Sequence, residues 1–224
     1  QEIICGINLI ETVLTARHDS VETLYILDSK LNSRIKRISS KAKLKGVNIC
    51  LETKNFFDLY CKDSNHQGLA LLCDKRKEED ESLLGELLKK ESLLFLVLDH
   101  ITDPHNVGAC LRNAAAANVD AVIVPKNRSC HLNSTVRKIS SGGSELVPFI
   151  VVTNLVRTIK KMKLSGVNIV GAETTGNEDY KDIVFGKKNA LVIGSEDKGL
   201  KKLTSENCDS LIRIDLPGNV ESLN

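Results

Sequence analysis

LDHITDPHNVGACLRNAAAA, residues Leu98 to Ala117, is where the second half of the chain passes from strand to helix. The run ahead of it, Leu93 to Leu98, is apolar throughout, as a strand covered on both faces must be. A polar turn follows and opens directly into a helical pattern. Asn106 falls where the start of that helix places a capping amide. Gly108 and Arg112 are four apart and share one helical face. A planar, charged donor fork is thus expected near the carboxyl end of a strand, the ligand side of an open α/β sheet.

The alternation continues on either side. Strand candidates are Leu93–Leu98, Ala121–Val124, Leu146–Val151, Val167–Gly171, Ala190–Ile193 and Leu211–Ile214, with helical patterns at Asn106–Ala117 and Thr153–Lys163 between them. This predicts an α/β domain with a mainly parallel sheet and helices on both faces. No G-x-G-x-x-G opens the first strand–helix turn, which disfavours a nicotinamide dehydrogenase.

Two later blocks sharpen the reading: LVIGSEDKGL, Leu191 to Leu200, and IDLPGNVESLN, Ile214 to Asn224. Taken singly, each block has a plain explanation. Asn106, Gly108 and Arg112 fit an ordinary helix start, Gly194, Glu196 and Gly199 a turn with Glu at a helix N-terminus, and Ser222 and Asn224 a cap and a turn. Taken in order they form Asn106-x-Gly108-x-x-x-Arg112, Gly194-x-Glu196-x-x-Gly199, and Pro217 followed by Ser222-Leu223-Asn224. That succession resembles the SpoU branch of the SPOUT superfamily over Leu93 to Asn224. DPHNVGACLR, the stretch PKNRSCHLNSTVRKISSGGSELVPF and the small domain in front resemble its bacterial 23S rRNA guanosine-2′-O-methyltransferase subgroup.

The resemblance implies a methyltransferase domain with a deep trefoil knot. It implies S-adenosylmethionine as cofactor, a guanosine ribose 2′-hydroxyl of 23S rRNA as acceptor, and a homodimer with its active site at the subunit interface. It assigns catalysis to Asn106, Arg112, Glu196, Ser222 and Asn224, and cofactor binding to Gly194, Ile214, Leu216 and Leu223. Arg112 is credited with activating the hydroxyl. A guanidinium does not normally give up its proton in proteins. Two versions stand: Arg112 holds the adjacent phosphate and stabilises the developing alkoxide, or contact and burial perturb it enough to act as base. Glu196 is expected to orient Arg112 or the RNA through a charge-assisted hydrogen bond. The family pattern continues beyond Asn224 into a helix that packs on the partner, so the family's C-terminal end is expected to be missing from this sequence. The alternatives are a tRNA ribose methyltransferase and a non-catalytic RNA-binding protein on the same scaffold.

Ahead of Leu93, elements alternate again: helix Ile7–Ala16, strand Glu22–Leu27, helix Leu31–Leu44, strand Val47–Leu51, helix Phe56–Cys61 and strand Leu69–Cys73. This predicts a small α/β domain over 1–74, which the resemblance implies is ribosomal-protein-like and binds RNA. The densely charged stretch 75–91 reads as a linker, with SLLGELLKK either closing it or opening a methyltransferase domain over 92–224.

Net charge is only +2, too small to argue for nucleic acid by itself. Distribution says more: Lys30 to Lys45 holds seven basic residues and no acidic one. It is either a phosphate-binding footprint or a solvated helix face. Lys36, Arg37 and Lys41 from this run are RNA-contact candidates. Arg128 and Lys138, with Lys126 and Arg137, bracket the polar loop NRSCHLNS and are read as phosphate contacts.

Aromatic residues make up 4% and Trp is absent, so the cores must be built from Leu, Ile, Val and Ala. Seven cysteines include no C-x-x-C pair and are odd in number. A disulfide framework or a metal site is therefore not expected, and the usage fits a reducing compartment, the cytoplasm. No apolar run reaches the ~18–20 residues of a membrane span, and the N-terminus does not read as a signal peptide.

Overall fold

A computed structural model describes residues 1–29, 32–62 and 65–215. Its contacts divide the chain into two units, Gln1–Lys77 and Glu78–Asn224.

The first unit runs β1 (Glu2–Cys5), α1 (Ile7–Ala16), a 3-10 turn (His18–Ser20), β2 (Val21–Leu27), α2 (Ser33–Leu44), β3 (Asn48–Glu52), α3 (Lys54–Tyr60) and β4 (Leu69–Cys73). Its sheet has the order β1-β4-β2-β3, with β4 antiparallel to both neighbours and β2 parallel to β3. Period-two alternation along β2 supplies two cores. Leu24 and Ile26 join Ile10, Val13, Leu14, Ile35 and Ile38 from α1 and α2. Leu27 and Tyr25 face the other way, toward Phe57 of α3. Asn32 caps α2 by accepting the Ile35 N–H at 2.9 Å.

Cys5 and Cys61 form a disulfide, with Cα atoms 6.2 Å apart, contrary to the expectation from cysteine spacing. The two are 56 residues apart in sequence, and only the packing of α3 over β1 and β4 brings them together.

The second unit runs α4 (Glu81–Leu87), β5 (Leu93–Asp99), α5 (Pro104–Ala116), β6 (Ala121–Pro125), α6 (Ser134–Ser140), α7 (Gly143–Leu146), β7 (Phe149–Val152), α8 (Leu155–Leu164), β8 (Asn168–Ala172), β9 (Glu178–Asp179), β10 (Lys188–Gly194), α9 (Lys202–Ser205) and β11 (Ser210–Arg213). The sheet has the order β7-β6-β5-β10-β8-β11-β9, and every pairing is parallel. β5 is buried on both faces, which accounts for its unbroken apolar run. Phe95 and Val97 pack with Ile123, Ile159 and Met162, while Leu96 and Leu98 pack with Val107, Leu111 and Val124.

Most of the charged stretch expected as a linker belongs to this second unit. The backbone of Glu79 exchanges hydrogen bonds with Phe149 and Val151 at 2.8 and 2.9 Å. Asp80 caps α4, and Leu84 and Leu88 are buried in the core. The expected strand from Leu146 begins only at Phe149, because Gly143 to Leu146 makes a helical turn first.

Candidate active site

β5 and β10 are far apart in sequence but adjacent in the sheet, and they end together, Asp99 opposite Gly194. Each then turns into a loop at the carboxyl edge, where open α/β sheets hold ligands. Between these loops lies a cleft of about 530 Å³, within the ordinary range for a small-molecule site. The β5–α5 connection contributes Ile101, α5 contributes Asn106 and Cys110, and the β10 loop contributes Gly194 to Gly199. Ala172 to Thr175 after β8 and Ile212 and Ile214 at β11 complete the wall.

α5 begins with Asp103, which accepts the His105 N–H at 2.8 Å, followed by Pro104 in the first helical position. The cap is therefore Asp103, and Asn106 stands further into the helix. This frees the Asn106 amide, which donates from Nδ2 to Glu196 Oε1 at 2.9 Å. The first and second sequence blocks thus meet directly, 90 residues apart. Among the described residues Glu196 bonds Asn106, and no bond between Glu196 and Arg112 is formed.

Helical periodicity sorts the rest of α5. Asn106, Ala109, Cys110 and Asn113 face the cleft. Gly108 lies against α6 so closely that a methyl group there would stand 2.6 Å from the Ile139 Cβ. Arg112 is exposed, outside the cleft lining, and takes no hydrogen-bond partner among the described residues. Burial pushes the Cys110 thiol pKa up, so this cleft residue acts as a small neutral wall.

The β10 loop is a tight hairpin. Ser195 N–H donates to the Gly199 carbonyl at 3.1 Å, and Gly199 N–H donates back at 2.8 Å. A methyl group on Gly194 would overlap the backbone of Gly199 and Leu200, so only glycine permits this closure. The resulting backbone cradle, walled by Ile101, Ile212 and Ile214, fits a cofactor with one apolar and one polar end. Glu173, Thr174 and Thr175 also line the cleft and belong to none of the three motifs. Their position after the β8 strand candidate was the available signal.

Leu216, Ser222, Leu223 and Asn224, with Pro217 and Gly218, lie outside the described residues, as does the segment that the resemblance threads through a knot.

Among the RNA-contact candidates, Lys36 and Arg37 are exposed on α2. Arg37 and Arg34 both bind Glu11, at 2.7 Å each, and hydrogen bonding from Arg34 leads the causes that hold the Glu11 carboxyl below its usual range. Lys41 donates to Thr15 Oγ1 at 2.6 Å. Arg128 and Lys138 are exposed in the second unit. Arg137 is not a phosphate contact: it is buried and bonds Glu145 at 3.0 and 2.7 Å.

Residues 93–224 match the model of the SpoU rRNA Methylase family. The chain belongs to the SpoU rRNA methylase family. Residues 3–79 match a second model, RNA 2′-O ribose methyltransferase substrate binding. Among curated relatives, the 23S rRNA (guanosine-2′-O-)-methyltransferase RlmB of Vibrio parahaemolyticus is 39% identical over 224 residues, covering 100% of this chain and 91% of that protein. The Coxiella burnetii RlmB is 41% identical, covering 99% and 89%. Among solved structures, the SpoU methyltransferase AviRb from Streptomyces viridochromogenes, in complex with the cofactor AdoMet, aligns with a TM-score of 0.77. It is 19% identical and covers 99% of this chain and 83% of its own. An AdoMet-bound rRNA methyltransferase from Sinorhizobium meliloti gives 0.76 at 20% identity, covering 100% and 81%. These likenesses show that the SpoU fold is shared.

Proposed function

We propose that this SpoU methylase transfers a methyl group from S-adenosylmethionine to a guanosine ribose 2′-hydroxyl of 23S rRNA. The observation that carries the reading is the Asn106–Glu196 hydrogen bond across the cleft, which joins the first two family motifs in one site. The full-length likeness to RlmB proteins supports the rRNA guanosine as acceptor.

The cofactor supplies an electrophilic methyl group. The protein's task is to hold it, align the hydroxyl, and stabilise the oxygen as its proton leaves. The Gly194–Gly199 hairpin, Ile212 and Ile214 would hold the cofactor, with Leu216 and Leu223 completing the pocket. Asn106 and Glu196 would fix the motif loops against each other. Arg112 would bind the adjacent phosphate and stabilise the developing oxyanion. Keeping its proton, it offers a permanent charge and a donor fork without needing a shifted pKa. Ser222 and Asn224 would position the hydroxyl. The exposure of Arg112 outside its own chain's cleft supports a homodimer, in which reacting groups meet at the subunit interface.

Residues 1–74 would dock the RNA through Lys36, Arg37 and Lys41, and Arg128 and Lys138 would guide it on the catalytic unit. No helix among the described residues is long and apolar enough to cross a membrane. An rRNA substrate supports a cytoplasmic site of action.

The test is transfer of labelled methyl from S-adenosylmethionine to RNA from cells lacking this protein, followed by nuclease digestion and mass spectrometry. The expected product is 2′-O-methylguanosine in large-subunit rRNA. Label confined to tRNA would overturn the substrate, and absence of both label and cofactor binding would overturn the enzyme.

A further inference from the structure

Asp99 is a charged side chain with no part in the three motifs, yet its residue is fully buried at the end of β5. Its Oδ2 accepts the Lys201 backbone N–H at 2.8 Å, and its Oδ1 is bonded to the Nδ1 of His100. We propose that His100 is a positioning residue for the cofactor cleft: by bonding Asp99, it holds the carboxylate on the Lys201 amide and keeps the Gly194–Gly199 hairpin closed. This rests on the cofactor role proposed for the cleft.

The geometry makes each link specific. Lys201 comes two residues after Gly199, where the hairpin ends. Between them Leu200 is buried in the core. The chain leaving the cleft is therefore pinned twice, by the Leu200 side chain and by Asp99 on the next amide. A buried carboxylate needs donors on both oxygens to stay in place. The Lys201 amide satisfies one oxygen, and the His100 ring, in the tautomer with its proton on Nδ1, satisfies the other.

His100 serves from an unfavourable backbone conformation. Its φ is +61°, in the left-handed region that side chains with a Cβ rarely occupy. The same turn delivers the next residue, Ile101, to the cleft wall, where its carbonyl accepts the Cys130 N–H at 2.8 Å. One residue thus links both walls: its ring bonds the anchor of the β10 loop, and its backbone sets the β5–α5 connection. Glycine would relieve the backbone at this position but would leave Asp99 Oδ1 without the ring nitrogen.

The test compares His100→Gly, which relieves the turn and removes the donor, with His100→Asn, which tolerates the turn and keeps an amide donor near the Nδ1 position. S-adenosylmethionine binding by titration calorimetry, Lys201 amide exchange by NMR, and melting temperature are measured on each. His100→Gly should bind the cofactor about tenfold more weakly, the scale of one hydrogen bond to a charged group. Its Lys201 amide should exchange faster, while the melting temperature stays near that of the unaltered protein. His100→Asn should recover both the binding and the slow exchange. Unchanged cofactor binding in His100→Gly, or His100→Asn as weak as His100→Gly, would overturn the proposal. So would an affinity loss matched by a general loss of stability. Failure of the unaltered protein to bind the cofactor would overturn the reading of the cleft itself, and this assignment with it.

Discussion

Replacing Gly194 by alanine tests whether backbone contact shapes the cofactor cleft. The added methyl group would overlap the Gly199 carbonyl and the Leu200 nitrogen, and a backbone cannot rotate aside as a side chain can. The hairpin must open, and the two Ser195–Gly199 hydrogen bonds are what it loses. At about 1 kcal/mol each, that is ~2 kcal/mol. If the cofactor requires the closed hairpin, binding should weaken by about 30-fold. The loop is exposed from Glu196 to Gly199, so the core should be spared and the melting temperature should fall by less than about 8 °C. Titration calorimetry with S-adenosylmethionine, alongside a thermal melt, separates the two effects. A folded Gly194→Ala protein binding within threefold of the parent would refute the reasoning, because the cradle would then not depend on that contact.

Three other outcomes are expected. Glu145→Gln removes the carboxylate charge from the buried Arg137–Glu145 ion pair and should cost up to about 3–5 kcal/mol in urea unfolding, much of it recovered in Arg137→Met/Glu145→Leu; equal losses in both would exclude the broken ion pair as cause. Burial pushes the His131 pKa down, but hydrogen bonds to Glu78 and the Lys126 carbonyl outweigh it and raise the imidazole above its ordinary 6.5. Stabilisation from this group is complete below pH 6.5 and is lost as pH rises through the folded-state value, so the stability difference between the parent and His131→Gln should shrink on that climb; a difference flat in pH would show that the clip does not titrate. Reduction of Cys5–Cys61 opens a loop with a sequence separation of 56 and should lower the stability of the first unit by up to ~4 kcal/mol, read as a shifted urea midpoint with dithiothreitol. An unmoved midpoint with both thiols shown free would count against that tether.

Elements with strong periodicity were legible. α1 and β4 lie where the pattern put them, and β5 differs by one residue. What was hidden depended on partners distant in sequence. Glu2–Cys5 is too short to read as a strand alone and becomes one by pairing with β4. The charged stretch after Lys77 looked solvated because acids and lysines surround the leucines. Packing selects only the face carrying Leu84 and Leu88, which composition averages away. The Cys5–Cys61 pair likewise exists only once α3 is laid over the sheet.

The site divides for a related reason. Asn106 and Glu196 were legible because each belongs to a short motif, but their bond was not, since it needs β10 inserted beside β5. Asp99 and His100 lie inside the most informative stretch and still went unread as functional. An Asp at a strand end is unremarkable until the Lys201 amide is seen beneath it, and a histidine gives no sign of a left-handed backbone. Asp99 holds one of the motif loops by accepting an amide from another segment, so its partner is set by topology and not by a spacing within its own stretch. Parallel topology produces this division. It gathers loops from distant strands at one edge, and each loop then needs an anchor from its spatial neighbour rather than its sequence neighbour.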